Sequence, residues 1–249
     1  YNNDVIFKIV SIENNLAVLK GTNIRLLADS DLSDLKKCGA EETGPENDQE
    51  IIEMMQENFN QERNDFFYIP GKVLHIDGDA DYLKRSMSFY KKSNVMAYGI
   101  TISEVDICNN IEKYLKKINP DIVVITGHDA YYKKSSVLRD STAYKNTGNF
   151  IKAILKARKY EKAPDKLIIV AGACQSNYEE LIKAGANFAA SPRRVNIHAL
   201  DPAIIASSVS LSERGKDIDL VGILEKTRYG KEGMGGIKTN GTMYIGFPR

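Results

Sequence analysis

Apolar runs typical of strands alternate with stretches of helical character along most of the chain, and this alternation predicts its fold. From Pro70 onward, short apolar runs typical of buried strands are each followed by a helical stretch. The predicted order is strand 72–76, helix 80–92, strand 95–100, helix 104–118, strand 122–126, helix 143–160, strand 167–171, helix 176–185 and strand 187–191. Strands that are apolar on both faces predict right-handed crossovers and a mostly parallel sheet with helices on both faces.

The residues before Pro70 follow a different pattern. Short β-like runs lie at Val5–Val10, Leu16–Leu19 and Ile24–Leu27, with turn residues between them at hairpin spacing. They predict a small β module over residues 1–35, similar to part of an SH3-like barrel, a kind of module that binds or covers a neighbour more often than it catalyses. Because the chain opens on Tyr1, we expect native residues ahead of it.

Residues 36–69 predict a linker between this module and the α/β domain, which takes up residues 70–249. The linker is acidic and turn-rich at first and then places Ile51, Met55 and Phe59 at helical spacing. That spacing indicates one short amphipathic helix, which we expect to pack a single stripe against the main domain.

The C-terminal residues again show the alternating pattern typical of β-strands. Gly236–Gly246 alternates around Asn240-Gly241, which is a strong signal for a two-residue hairpin turn. We therefore expect a C-terminal β-hairpin that forms an antiparallel edge or flap.

Composition and charge narrow the classes of partner. The 34 basic and 33 acidic residues give a formal charge of +1, so no broad basic field for nucleic acid or an anionic membrane is expected. Three cysteines, at positions 38, 108 and 174, form no C-x-x-C pair, which argues against a disulfide framework or a zinc site and for a reducing compartment. Without an apolar run of about 18 residues or a signal peptide, a cytoplasmic protein with protein or peptide partners is predicted.

Two successive predicted strands run into side chains that can perform nucleophilic chemistry. Thr126-Gly127-His128 follows one strand, and Gly172-Ala173-Cys174 follows the next. Since chemistry collects beyond the carboxyl ends of parallel strands, we expect imidazole and thiol at one rim, as a cysteine hydrolase requires. The helix predicted to start near Ser176 should lower the pKa of the Cys174 thiol. By context alone, a buried structural cysteine is an equally good interpretation.

The other two histidines are competing bases. His75 lies inside the first predicted strand of the α/β domain, which favours a core histidine bonded to a neighbour. His198 precedes Asp201-Pro202, a predicted helix start with Asp201 as its N-cap. His198 is the alternative to His128 as general base.

Carboxylates stand at the same predicted rim. Asp77, Asp79 and Asp81 occupy alternate positions after the first strand, a spacing that could bind calcium. A calcium loop of the EF-hand type, however, needs Gly and Glu where this chain has Tyr82 and Ser88. The calcium motif is therefore incomplete, and no cofactor or metal is predicted. A desolvated carboxylate recognises a guanidinium, so an arginine pocket is an open alternative to plain turn and helix-capping roles. We expect Asp77 and Asp79 to form it, with Asp201 as a second choice.

The catalytic pair resembles that of caspase-like cysteine peptidases. Thr-Gly-His128-Asp and Gly-Ala-Cys174-Gln are approximate versions of their signatures, and the separation of the two residues is near the spacing of about 50 found in that class. Asp129 replaces the glycine that usually follows the histidine, and Gly172 replaces the usual glutamine. Both departures argue against selection of aspartate in the substrate.

Longer blocks are similar to the YabG sporulation-specific peptidases. These blocks are Pro70-Gly-Lys-Val-Leu-His-Ile-Asp-Gly-Asp, Ile125-Thr-Gly-His-Asp-Ala, Ala171-Gly-Ala-Cys-Gln-Ser, Ala184-Gly-Ala-Asn-Phe-Ala-Ala-Ser-Pro and Val195-Asn-Ile-His-Ala-Leu-Asp-Pro, with Arg25-Leu-Leu-Ala-Asp-Ser-Asp and Gly235-Gly-Ile near the ends. The resemblance implies a protease that cuts coat and other spore proteins after arginine, in the cytoplasm of the sporulating cell and in the spore coat.

On this basis His128 and Cys174 are expected to act as a dyad, with the backbone N–H groups of Cys174 and Asp129 as the oxyanion hole. Self-processing is a further hypothesis, with Arg139, Arg193 and Arg194 as cleavage sites. Two alternatives remain open. One is a non-peptidase thiol hydrolase or amidotransferase, whose Gly-x-Cys-x-Gly elbow is not matched, and the other is a non-catalytic spore scaffold or binding protein.

Overall fold

The computed structural model describes residues 6–38, 48, 52–53, 66–132 and 143–247. The strands are β1 Phe7–Glu13, β2 Leu16–Gly21, β3 Leu27–Asp31, β4 Phe67–Ile69, β5 Val73–Asp77, β6 Ala97–Thr101, β7 Ile122–Thr126, β8 Ile168–Ala171, β9 Phe188–Ala190, β10 Met234–Gly236 and β11 Tyr244–Gly246. The helices are α1 Ala80–Lys92, α2 Ile107–Ile118, α3 Thr147–Tyr160, α4 Tyr178–Lys183, α5 Asp201–Ser210, α6 Leu220–Glu225 and α7 Gly230–Gly233, with a 3-10 turn at Leu32–Asp34.

The central sheet is mixed but mostly parallel, as predicted. Its six strands lie in the order β10-β9-β8-β7-β5-β6, and only β10 runs antiparallel to its neighbour. Strands β5, β7 and β8 are buried along their whole length, because helices cover both faces of the sheet. The carboxyl ends of these three strands therefore meet at one rim.

Alternate residues of the central strands face two separate apolar cores. On one face, Val124 and Val170 pack with α1, α5 and α6. On the other face, Val123 and Ile169 pack with α2, α3 and α4. The two-sided burial explains the continuous apolar runs from which the strands were predicted.

The N-terminal strands β1, β2 and β3 form an antiparallel sheet, which confirms the predicted β character of this segment. The third strand, however, is not where the sequence placed it. The predicted strand Ile24–Leu27 overlaps β3 only at Leu27, because Ile24 and Leu26 are both buried and pair in single bridges with His198 and Asp129 of the main domain. Burial of two large apolar side chains against that domain outweighs continued pairing within the small sheet.

Of the linker, Ile51, Met55 and Phe59 lie outside the described residues, as does Arg139 of the loop after His128. In the part of the chain that the structure describes, no helix has the length and apolar character needed to cross a lipid bilayer.

The C-terminal segment supplies the antiparallel edge expected of it. Strand β10 pairs with β9 at the end of the main sheet, and β11 pairs with β4. Each strand thus finds its partner elsewhere in the chain, and Asn240 and Gly241 form bridges with residues 217 and 214 instead of closing a turn between β10 and β11.

Candidate functional site

His128 and Cys174 follow neighbouring strands, as the sequence indicated. Strands β7 and β8 are paired in parallel, with Ile125 opposite Ala171, so the loops after both strands leave the same rim. His128 is 5% exposed and Cys174 is fully buried. Both side chains at this rim are therefore shielded from solvent in this conformation.

The side chain of Asp129 braces these two loops. One carboxylate oxygen accepts hydrogen bonds from Ala130 N and Asn146 N, and the other accepts from the hydroxyl groups of Thr147 and Ser176, at 2.5 and 2.8 Å. Burial nevertheless raises its pKa above the ordinary value. Asp129 therefore ties the loop of His128 to the loop of Cys174, a structural role that explains why an acid can stand there.

His128 lies between two carboxylates. Its Nδ1 is 3.6 Å from Glu104 Oε1, its Nε2 is 3.4 Å from Asp79 Oδ2, and its ring centre is 5.4 Å from that of Tyr82, with the two rings tilted by 40°. The backbone N–H of His128 also donates to Glu104 Oε1 at 2.8 Å. Nε2 itself is buried without a hydrogen bond to any described residue, so it remains available for a proton from a reacting group.

Glu104 is a site residue that the sequence did not reveal. Burial opposes its ionisation, but the ring and the backbone N–H of His128 hold the pKa of the carboxyl below its usual range. Two glycines make room for it, since a Cβ at Gly78 or at Gly127 would lie 2.4 Å from Glu104 Oε1. The glycines in Asp-Gly-Asp and Thr-Gly-His are the only sequence signal for this close approach.

Cys174 faces the loop before α5. Its Sγ accepts a hydrogen bond from Ile197 N at 3.2 Å and lies 3.7 Å from Ile197 O. Burial raises the pKa of the thiol to about 12, and the backbone N–H groups of Ile197 and Arg25 reduce this shift only in part. The expected lowering of this pKa is thus wrong for this conformation, because desolvation of the thiolate exceeds the effect of a short helix that begins only at Tyr178.

The three acids predicted for an arginine pocket have different partners. Asp77, fully buried, accepts from the guanidinium of Arg25 at 2.7 Å. Asp79 caps α1 through Asp81 N and Tyr82 N, and it also binds Lys20. Among these acids, only Asp77 is paired with an arginine.

Asp201, the third of them, accepts from His198 N at 2.8 Å and from Arg228 N at 3.0 Å, and burial raises its pKa to about 6. It begins α5 but does not precede it as the predicted N-cap, a position that Leu200 takes. Its two bonds make it a brace for the loop that faces Cys174.

Asp77 also has a guanidinium on one side and an imidazole on the other. Burial opposes its ionisation, but the Arg25 charge and the contact with His75 hold its pKa far below the usual range. His75 is the buried core histidine that was predicted, with Nδ1 2.9 Å from Tyr90 Oη and Nε2 3.5 Å from Asp77. The rim thus contains a preformed anionic site for a guanidinium.

His198, the alternative base, belongs to the loop opposite Arg25. Its Nδ1 accepts from Leu200 N at 3.3 Å, and its Nε2 is 3.7 Å from Asp48 of the linker. Burial and the nearby Arg85 lower the pKa of His198 to about 4. A base of this strength is poorly matched to proton transfer near neutral pH.

Comparisons with known proteins identify the family of this chain. A family model described as YabG peptidase U57 matches residues 1–248. The chain is also 41% identical, over 273 aligned positions that cover all of it and 94% of the relative, to the sporulation-specific protease YabG of Bacillus subtilis strain 168. These matches confirm the resemblance inferred from the sequence blocks. The chain therefore belongs to the YabG peptidase U57 family and is a peptidase.

Proposed function

We propose that this chain is a cysteine endopeptidase that cuts spore proteins after arginine, with Cys174 as nucleophile and His128 as general base. The observation that carries the proposal is the placement of thiol and imidazole on loops at the carboxyl ends of β8 and β7, beside an acid that already binds a guanidinium. Membership in a peptidase family supports proteolysis over the amidotransferase and scaffold alternatives.

The mechanism needs each group in a named role. The thiolate of Cys174 attacks the carbonyl carbon of the arginine before the scissile bond, and the His128 imidazolium protonates the departing amine. Water then hydrolyses the thioester, with His128 taking its proton. The backbone N–H groups of Cys174 and Asp129 stabilise the oxyanion, each contributing about 2.7–4 kcal/mol of barrier by analogy with measured donors.

The setting is a sporulating cell. The Bacillus subtilis relative is described as a sporulation-specific protease, and this chain covers nearly all of it. We infer the same stage here, with coat and spore-associated proteins as substrates and a caspase-like arrangement of the peptidase domain. A mostly parallel six-stranded sheet with the candidate nucleophile and base after neighbouring strands supports that arrangement.

Labelling with a peptidyl-arginine chloromethyl ketone tests the proposal without relying on a variant. The electrophile is expected to alkylate Cys174 and to spare Cys108, whose thiol lies 3.6 Å from Lys152 O on the outer side of α2. Peptide mapping by mass spectrometry locates the adduct. Equal labelling by a peptidyl-glutamate analogue, or labelling of Cys108 alone, would contradict a cysteine peptidase selective for arginine.

We assign Glu104 as the positioning residue for His128. Its carboxylate stabilises the imidazolium, so Glu104→Gln is expected to lower kcat by roughly tenfold or more, the loss typical of a hydrogen bond to a charged group. The loss should appear in kcat with little change in KM, because Glu104 contacts His128 and not the substrate. Glu112→Gln, which removes an exposed acid bound to Lys116 and Lys156, is the matched control. Wild-type kcat in folded Glu104→Gln would disprove the assignment.

Self-processing is proposed as part of the same activity. Arg194 is engaged by Glu179 at 2.5 Å and by Tyr144 at 3.0 Å, so cleavage after it requires these contacts to open. Mass spectra of wild type beside Cys174→Ala decide the matter, since identical fragments in both proteins would rule out self-cleavage at Arg139, Arg193 or Arg194.

A further inference from the structure

A four-residue segment of the N-terminal sheet, Asn23–Leu26, runs through the rim that holds Cys174 and His128. It follows β2 and precedes β3, and it forms a single antiparallel bridge with the loop before α5. Arg25 N donates to Ile197 O at 3.2 Å, and Ala199 N donates to Asn23 O at 3.0 Å. This is the backbone pairing by which an extended peptide is held against an exposed edge.

The other side of the segment contacts the loop of His128. Leu26 forms a parallel bridge with Asp129, while Ile24 bridges to His198. Ile24 and Leu26 are each 7% exposed, and they share a core with Cys174. The segment therefore lies between the loop that contacts the thiol and the loop that carries the imidazole.

The Arg25 side chain occupies the anionic site at the end of β5. Nη1 binds Asp77 at 2.7 Å, and Nε and Nη2 both donate to Ala199 O, at 3.0 and 2.7 Å. The guanidinium also lies 5.0 Å from the centre of the Tyr82 ring. A carboxylate, a carbonyl and an aromatic face are the groups that recognise an arginine in a binding pocket.

Building on the proposed arginine specificity, we propose that Asn23–Leu26 occupies the place of the substrate. Arg25 fills the arginine pocket, the edge at Ile197–Ala199 is the edge to which substrates pair, and the backbone of Arg25 lies beside Cys174. The N-terminal sheet thus closes its own cleft, and a protein substrate must displace this segment before it can be cut. A tethered segment competes at a high effective concentration, so displacement is the step at which activity is controlled.

Burial of the thiol agrees with this closed state. Cys174 has no exposed surface, and its thiol lies against the backbone N–H groups of Ile197 and Arg25. Tyr82 secures the segment from the side of α1, because its hydroxyl lies within hydrogen-bond distance of both Gly21 O and Ile24 O and donates its one proton to this pair of carbonyls. A purely structural Arg25–Asp77 pair would explain the buried charges but not the strand pairing against the loop that contacts the nucleophile.

The test uses access to the thiol. Arg25→Gln in the full chain is expected to raise the rate of Cys174 alkylation by iodoacetamide at least about tenfold, the change expected from losing hydrogen bonds to a charged group. Initial hydrolysis of a small arginyl substrate should rise with it. Mass spectrometry resolves Cys174 from Cys38 and Cys108, which serve as internal references. Tyr82→Phe is the second variant, since it loosens the segment while leaving Asp77 and Arg25 in place.

Arg158→Gln is the matched control, because Arg158 binds Gly185 O, Leu167 O and Asn187 away from the rim. An equal rise in alkylation there would mean general loosening and would overturn the inference, as would wild-type rates in folded Arg25→Gln and Tyr82→Phe. Cleavage between Arg25 and Leu26 in wild type, absent from Cys174→Ala, would support the proposal that Arg25 occupies the place of the substrate arginine.

Alkylation does not require catalysis, so this inference and the proposed function can fail separately. Faster alkylation of Cys174 in Arg25→Gln without any hydrolysis of arginyl peptides would refute the peptidase mechanism but support the blocking role of Asn23–Leu26. Unchanged alkylation together with hydrolysis that requires Cys174 and His128 would refute the blocking role of the segment but support the peptidase mechanism.

Discussion

Cys174→Ala and His128→Ala are each expected to lower kcat for arginyl-peptide hydrolysis by about 10⁴-fold or more, because nucleophile and base act as one unit. For the same reason the double variant should be scarcely worse than either single variant. The measurement is turnover of a short peptide with one arginine, with circular dichroism and thermal melting to show that each variant folds.

Two further variants serve as controls for this result. Cys108→Ala removes a half-buried thiol on α2 and should leave turnover unchanged. His198→Ala addresses the alternative base, which lies beside Asp48 and not between Glu104 and Asp79. Wild-type turnover in Cys174→Ala or His128→Ala would refute the dyad, and a loss confined to His198→Ala would make His198 the base.

Asp77→Asn is expected to lower kcat/KM for arginyl substrates by about 10²-fold or more, because truncating one partner of a buried charge pair costs about 2–5 kcal/mol. Substrates with glutamine or norleucine in place of arginine should not show this loss, because they do not use the carboxylate. The ratio of the hydrolysis rate of the arginyl substrate to that of the glutamine or norleucine substrate therefore reports the loss of arginine selectivity independently of enzyme concentration.

The same substitution also affects stability, because it leaves Arg25 buried without a counter-ion, at a cost of about 3–5 kcal/mol. Combining it with Arg25→Gln removes the unpaired charge and should restore part of the stability but none of the selectivity. Asp121→Asn breaks a partly exposed aspartate–arginine pair with Arg214 before β7, at the opposite end of the sheet, and is the control for loss of an ion pair away from the rim. Arginine selectivity that survives Asp77→Asn in a folded protein would exclude Asp77 as the pocket acid.

The depressed pKa of Asp77 gives this pair a pH signature. A carboxyl whose pKa is lower in the folded than in the unfolded state contributes stability above the unfolded value of 3.8, and that contribution is lost as the pH falls below it. The free energy of unfolding of wild type should therefore fall on acidification below about pH 4. The decline should be shallower in the double variant, which lacks the pair.

Much of the fold could be predicted because its signals are local. The apolar runs at Ile122–Thr126 and Ile168–Ala171 are buried on both faces, and a run of this kind has few alternatives to a central parallel strand. The placement of His128 and Cys174 after neighbouring strands followed from the same pattern. Only the start of helix α5 was predicted, at Asp201-Pro202; its extent was not, because the helix is buried all round and has no amphipathic period to detect.

The sequence by itself determined the alternation of strands and helices, the rim to which candidate nucleophile and base belong, and, through long matching blocks, the family. Only the tertiary structure decided that Glu104 reaches His128, that burial raises the pKa of Cys174, and that Arg25 enters the anionic site beside it. These facts depend on contacts between residues 23 to 174 positions apart, and no local period encodes such contacts. Burial and charge pairing are properties of the assembled rim, where distant segments exclude water together.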